Sequence, residues 1–170
     1  MNRWAAFAVL ASLLTSAGCG DARSTKAVSP VSSTSAQWDP SKMPDPCRVI
    51  TPAEVGDAIG TAVSKGTRLQ TWPPLCRFII DTDSHTFVYI SDDSRPTAED
   101  DFTRNEHTTE ITQPVSGVGD RAYWLPRLTT LHVLSTGTHL VVMFHGGKVP
   151  SDARSGAVRL AQTALPRARP

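Results

Sequence analysis

The chain has 170 residues, 17 Lys and Arg against 16 Asp and Glu, a formal net charge of +1 and 39% hydrophobic side chains. This balance excludes the basic footprint of a nucleic-acid binder and a polybasic patch for anionic lipid. It leaves apolar material for about one ordinary domain.

Met1-Asn2-Arg3 carries one positive charge, and Trp4 to Leu14 follow without an ionisable residue before the small residues Ser16-Ala17-Gly18 and Cys19. Basic, then apolar, then small is the order of a secretory signal peptide, and the run is too short to span a bilayer. A cysteine after the small residues resembles a bacterial lipoprotein signal, although Ser16 stands where such signals usually have Leu. The resemblance implies removal of residues 1–18 and lipidation of Cys19, and the alternative is an ordinary signal peptide with an incidental cysteine. Two or three acyl chains, at about 0.8 kcal/mol per buried methylene, would anchor the protein to the extracytoplasmic face of a bacterial cell membrane.

Residues 19–44 are rich in Ser, Thr, Ala and Pro, with Val28, Val31, Trp38 and Met43 as the large apolar exceptions. Such a segment is expected to be a disordered tether with a span on the order of 30 Å. Cys47 and Cys76 are the two cysteines beyond it. In an oxidising compartment an isolated pair most often forms one disulfide; a metal pair or a reactive thiol is the alternative, without the close Cys/His spacing of a zinc site.

A single domain is expected over residues 45–166, with residues 167–170 as a frayed tail. Thr51-Pro52-Ala53-Glu54 reads as a capping box with proline at the first helical position, Ile50 can staple onto Val55, and Gly60 can close the helix. Leu75 to Ile80 and Thr86 to Ser91 read as two strands of a hairpin around the turn Asp81 to Ser84. Ser94 to His107 reads as a short surface helix whose apolar residues are Ala98 and Phe102. The acids Asp92, Asp93, Glu99, Asp100 and Asp101 lack the ligand spacing of a calcium loop, so they are expected on a solvated face.

Gly117 and Gly119 lack the full phosphate-binding fingerprint and are read as positions of positive φ before the strand at Tyr123-Trp124. Leu128 to Ser135 and Thr138 to His145 form the clearest hairpin, turning at Thr136-Gly137. Its register gives Leu131, Val133, Leu140, Val142 and Phe144 to one core face, and His132, Leu134, His139, Val141 and Met143 to the other. His132 then lies diagonal to His139, which makes this pair the candidate metal ligands, with His145 as a possible third. Ser151 or Asp152 can cap a last helix carrying the stripe Ala157, Leu160, Ala161, Ala164 and Leu165.

The run from Pro46-Cys47 through Thr51-Pro52-Ala53-Glu54-Val55 to Gly60, the second cysteine Cys76 and the motif Gly117-Val118-Gly119-Asp120-Arg121-Ala122-Tyr123-Trp124 resemble small secreted lipoproteins of unknown function from actinobacteria. The likeness covers roughly Asp45 to Leu165, with Arg48-Val49-Ile50 departing from the usual small residue and leucines. It implies an envelope location and one disulfide, and no catalytic residue. The expected fold is α+β, a mainly antiparallel sheet backed by the first and last helices. The expected function is a non-enzymatic, membrane-anchored module binding an envelope protein or a small molecule, without a cofactor. A ligand or metal carrier built on the second hairpin is the alternative, and an uncharacterised hydrolase a further one.

Overall fold

A single 3-10 turn, Pro46–Arg48, opens the fold, with the Asp45 carboxylate accepting from the Cys47 N–H at 3.0 Å. Thr51 caps α1 (Pro52–Ile59) with a full capping box: its hydroxyl accepts from the Glu54 N–H at 3.3 Å, and Glu54 accepts from the Thr51 N–H at 2.8 Å. Gly60 ends the helix at φ 72°. These details belong to a computed structural model that describes residues 45–69, 71, 73–82, 85–108 and 111–168. The expected leader, Cys19 and the tether, together with Asp83 and Ser84 of the expected turn and residues 169–170 of the expected tail, lie outside the described residues.

Among the described residues seven strands follow: β1 (Thr67–Leu69), β2 (Leu75–Asp81), β3 (Thr86–Asp93), β4 (Gln113–Pro114), β5 (Arg121–Leu125), β6 (Thr130–Ser135) and β7 (Thr138–His145). They form one antiparallel sheet in the order β1-β2-β3-β7-β6-β5-β4. The fold is α+β, as expected. Thr136 and Gly137, at φ 51° and 78°, make the two-residue turn that pairs Ser135 with Thr138. Val88, Ile90, Leu131, Val133, Leu140, Val142 and Phe144 then fill the first face of the sheet.

That face is covered by α1 and by α3 (Ala153–Ala164), which also touch each other. The predicted stripe Ala157, Leu160, Ala161, Ala164 and Leu165 is buried there. Asp152 stands at the N-cap position but makes no side-chain cap, and pairs with Arg159 at 3.1 Å instead. The Arg159 guanidinium donates to the Ala58 carbonyl, tying α3 to the end of α1. Cys47 and Cys76 form a disulfide across 29 residues, stapling the entry turn to β2. Closing a loop of that length contributes about 3.5 kcal/mol in the chain-entropy model.

Two expectations need correction. Arg167 and Ala168, placed in a frayed tail by the sequence reading, are held: Arg167 donates to both oxygens of Glu54 at 2.8 and 2.9 Å, and Ala168 is buried. The acids are not one solvated face either. Glu99 and Asp100 are exposed, but β3 runs on through Asp92 and Asp93 because β7 pairs with it as far as His139, and both acids are buried.

The Gly-x-Gly-Asp segment is a clip on the β6–β7 turn. Gly117 and Gly119 have φ of 79° and 61°. The Asp120 N–H donates to the Leu134 carbonyl at 2.8 Å, and its carboxylate accepts from the Thr136 N–H at 2.7 Å. A Cβ on Gly119 would stand 2.6 Å from the Leu134 carbonyl oxygen and 2.5 Å from a Val133 methyl. Gly119→Ala should therefore cost about 2–4 kcal/mol in urea unfolding. Gly137→Ala, with no atom within 4 Å of the added Cβ, should cost less; equal losses would show that close approach at Gly119 is unimportant.

Candidate functional site

Among the described residues, the second face of the sheet divides into a covered and an open half. α2 (Ala98–Thr108) lies over β6 and β7 and buries Ala98 and Phe102 completely. Phe102, Tyr123, Leu125 and Leu134 form a second, smaller core there. The expected surface helix is thus the lid of half a sheet face.

Under α2, Nδ1 of His132 and Nε2 of His139 stand 3.0 Å apart, in residues only 9% and 4% exposed. One nitrogen donates and the other accepts, so these two facing nitrogens satisfy each other. Tyr123 stacks on His132 with centroids 4.8 Å apart, and Phe102 meets His139 edge-on at 5.4 Å. The Tyr123 hydroxyl donates to the Phe102 carbonyl at 3.3 Å. Beside the pair, the Arg95 Nε–H donates to Asp93 at 2.8 Å, and Arg95 reaches Asp101 at 2.8 Å.

Burial holds both imidazoles well below their ordinary value. For His132 the second cause is the neighbouring His139; for His139, Asp93 and Asp101 oppose the burial and Arg95 adds to it. The sequence placed the two histidines together correctly, and the structure supplies two nitrogens already bonded to each other. His145 is exposed, six residues from His139 along β7, or about 20 Å. Among the described residues, no group of three or more His, Cys, Asp or Glu could hold a metal ion.

The open half lies on β2, β3 and the far part of β7. Leu75, Arg77 and Ile79 on β2 oppose Ser91, Tyr89 and Phe87 on β3, which in turn oppose Val141, Met143 and His145 on β7. The apolar members are half-buried. The Arg77 guanidinium lies 5.3 Å from the Phe87 ring centre, Phe87 and Tyr89 are 5.9 Å apart, and Tyr89 meets His145 edge-on at 6.4 Å. Among the described residues, Arg77 Nε and Ser91 Oγ are buried atoms with no hydrogen-bond partner.

On the opposite, helix-covered face, Asp92 is 0% exposed, and among the described residues neither of its carboxylate oxygens has a partner; Thr138 Oγ1 at the same end of that face has none there either. Burial first, and the charge of Asp93 second, push the Asp92 carboxyl up to about 7. Sequence reasoning missed Arg77 and Ser91 as points of interest and expected Asp92 on a solvated face. The period-2 alternation carried the signal, but the register of β2 on β3 shifts at a bulge between Ile79 and Asp81, which hides it.

A shallow open depression beside α1, lined in part by Pro52, Gly56, Asp57 and Thr61, brings a single carboxylate. Among the described residues no helix is long and apolar enough to cross a membrane. Compared with protein families, with curated proteins and with solved structures, the chain matches none.

The buried groups give stability a pH dependence of two opposing signs. Each imidazole binds a proton in the unfolded chain near 6.5 but resists it when folded, so its contribution is complete above 6.5 and lost as pH falls. Asp92 keeps in the fold a proton that the unfolded chain releases near 3.8, so its contribution is complete below 3.8 and lost as pH rises to about 7. At about 1.4 kcal/mol per pH unit per group, stability between pH 5 and 6.5 should fall gently on acidification. Asp92→Asn should steepen that fall, and His132→Phe/His139→Leu should reverse it. Urea titrations with the same slope in all three proteins would contradict this reading.

Proposed function

We propose that the chain is a membrane-anchored envelope lipoprotein whose domain is a non-enzymatic binding module, with the open half of the second sheet face as its binding surface. The observation that carries this reading is the contrast between the two halves of that face. One is sealed by α2 and filled by its own aromatic and histidine side chains, while the other presents Phe87, Tyr89, Val141 and Met143 half-exposed beside two unpartnered polar atoms. An uncovered apolar surface with unmet hydrogen-bonding groups is what a binding surface requires.

The titratable groups near α2 are committed to one another: His132 to His139, Asp93 to Arg95, and Asp101 to Arg95 and Arg104. That arrangement favours a structural role over general acid–base work, which needs a group free to exchange protons with a substrate. A metal carrier on the second hairpin would have to break the bond between the imidazoles and import a third ligand.

Anchoring is tested by expressing the full chain in a bacterium with an alkyne fatty acid. The wild-type protein should be labelled and sediment with membranes, while Cys19→Ala should be unlabelled and released. Equal labelling of both would remove the lipid anchor from the account. The binding surface is tested by placing a photo-crosslinking amino acid at Tyr89 or at exposed Asp100. Adducts in intact cells should form from position 89 alone, and indistinguishable patterns from both positions would contradict the assignment.

A further inference from the structure

The two unpartnered atoms on the open half indicate what it would take. The Arg77 Nε–H can only donate, and the Ser91 hydroxyl can donate or accept. Both atoms are buried, so an acceptor reaches them only by displacing the side chains around them, and a buried donor left unmet costs free energy that such an acceptor would recover. On β3, Ser91, Tyr89 and Phe87 follow one another on this face, with Arg77 opposite Tyr89 and its guanidinium over Phe87. Around them the surface is apolar: Leu75, Ile79, Val141 and Met143. The nearest carboxylate on the same face of β3, Asp93, is paired with Arg95. It therefore leaves the Arg77 charge to an incoming group.

Size decides between a protein and a small molecule. At 3.4 Å per residue and 4.8 Å per strand, with side-chain breadth added, three residues on each of three strands present on the order of 300 Å². A stable protein–protein interface needs about 800 Å² from each partner. The patch is walled on one side by α2, which packs on β7 and β6. It is a ledge suited to an extended small molecule lying along the strands.

Resting on the reading of this face as the binding surface, we propose that it binds a small amphipathic anion. Its carboxylate or similar acceptor is met by Arg77, and its apolar body lies across Phe87, Tyr89 and Met143. A charge-assisted hydrogen bond from a guanidinium is among the stronger polar contacts available, and it discriminates by sign.

The test is an NMR titration of the lipid-free protein lacking residues 1–18, with the Cys47–Cys76 disulfide intact. Dodecanoate and dodecyltrimethylammonium, each below its micelle concentration, are compared with dodecanol below its solubility limit. Dodecanoate should shift the Met143 methyl and the amides of Arg77, Tyr89 and Ser91, and bind at least tenfold more tightly than the other two. Arg77→Gln should reduce that preference to within about threefold. Tyr89→Glu, which sets a carboxylate on the face itself, should exclude dodecanoate, and this second variant keeps the test decisive if Arg77→Gln does not fold. Equal binding of all three amphiphiles would overturn the anion assignment while leaving the face as the binding surface. No response at Met143 with millimolar ligand, or shifts confined to the depression beside α1, would overturn both.

Discussion

The structure depends on the pairing of β7 along its whole length with β3 on one side and β6 on the other. Because side chains alternate, this one register distributes residues to two faces with different fates. The turn at Thr136-Gly137 sets the register, and Asp120 holds the turn from outside through the Thr136 N–H. A slip of one residue would send Leu131, Val133 and Leu140 toward α2 and drive His132 and His139 under α3. The Gly-x-Gly-Asp segment, suggestive of a phosphate cradle from its glycines, is thereby explained as a device that protects register.

The two faces use buried polarity differently. Under α2 the facing imidazole nitrogens, the Tyr123 hydroxyl and Asp93 each have a partner, and the aromatic rings of Tyr123 and Phe102 close the pair from two sides. Under α1 and α3, Asp92 has none and holds its proton up to about 7. The first is a satisfied network that fixes how the helix sits. The second is a standing cost, offset by the large apolar core in which it lies and by the disulfide that keeps the entry turn on β2. Against this background the unmet atoms of Arg77 and Ser91 differ from Asp92, because they lie on the half of a face that no helix among the described residues covers.

Much of this was legible in the sequence where the signal was local. The capping box at Thr51, the closing Gly60, the last-helix stripe and the hairpin register each rest on residues a few positions apart, and all appear as read. The diagonal meeting of His132 and His139 followed from the register alone. The place of α2 was not legible, because Ala98 and Phe102 are too short a stripe to announce that a helix covers anything. Asp92 and Asp93 looked like part of a polar run, since only the length of β7 shows that β3 continues through them. The clasp of Arg167 on Glu54 spans 113 residues and has no local trace. The open ledge was hidden for a related reason: it is defined by what α2 does not reach.

The account's central claim is that the second sheet face has a sealed half and an open half. Solvent paramagnetic relaxation of methyl groups, using a soluble gadolinium chelate on the protein without residues 1–18, tests it most directly. The methyls of Ile79, Val141 and Met143 should relax strongly, while those of Leu125 and Leu134 under α2 should be protected. Protection of Met143 and Val141 equal to that of Leu134 would mean that the ledge is covered in solution, and would contradict the account.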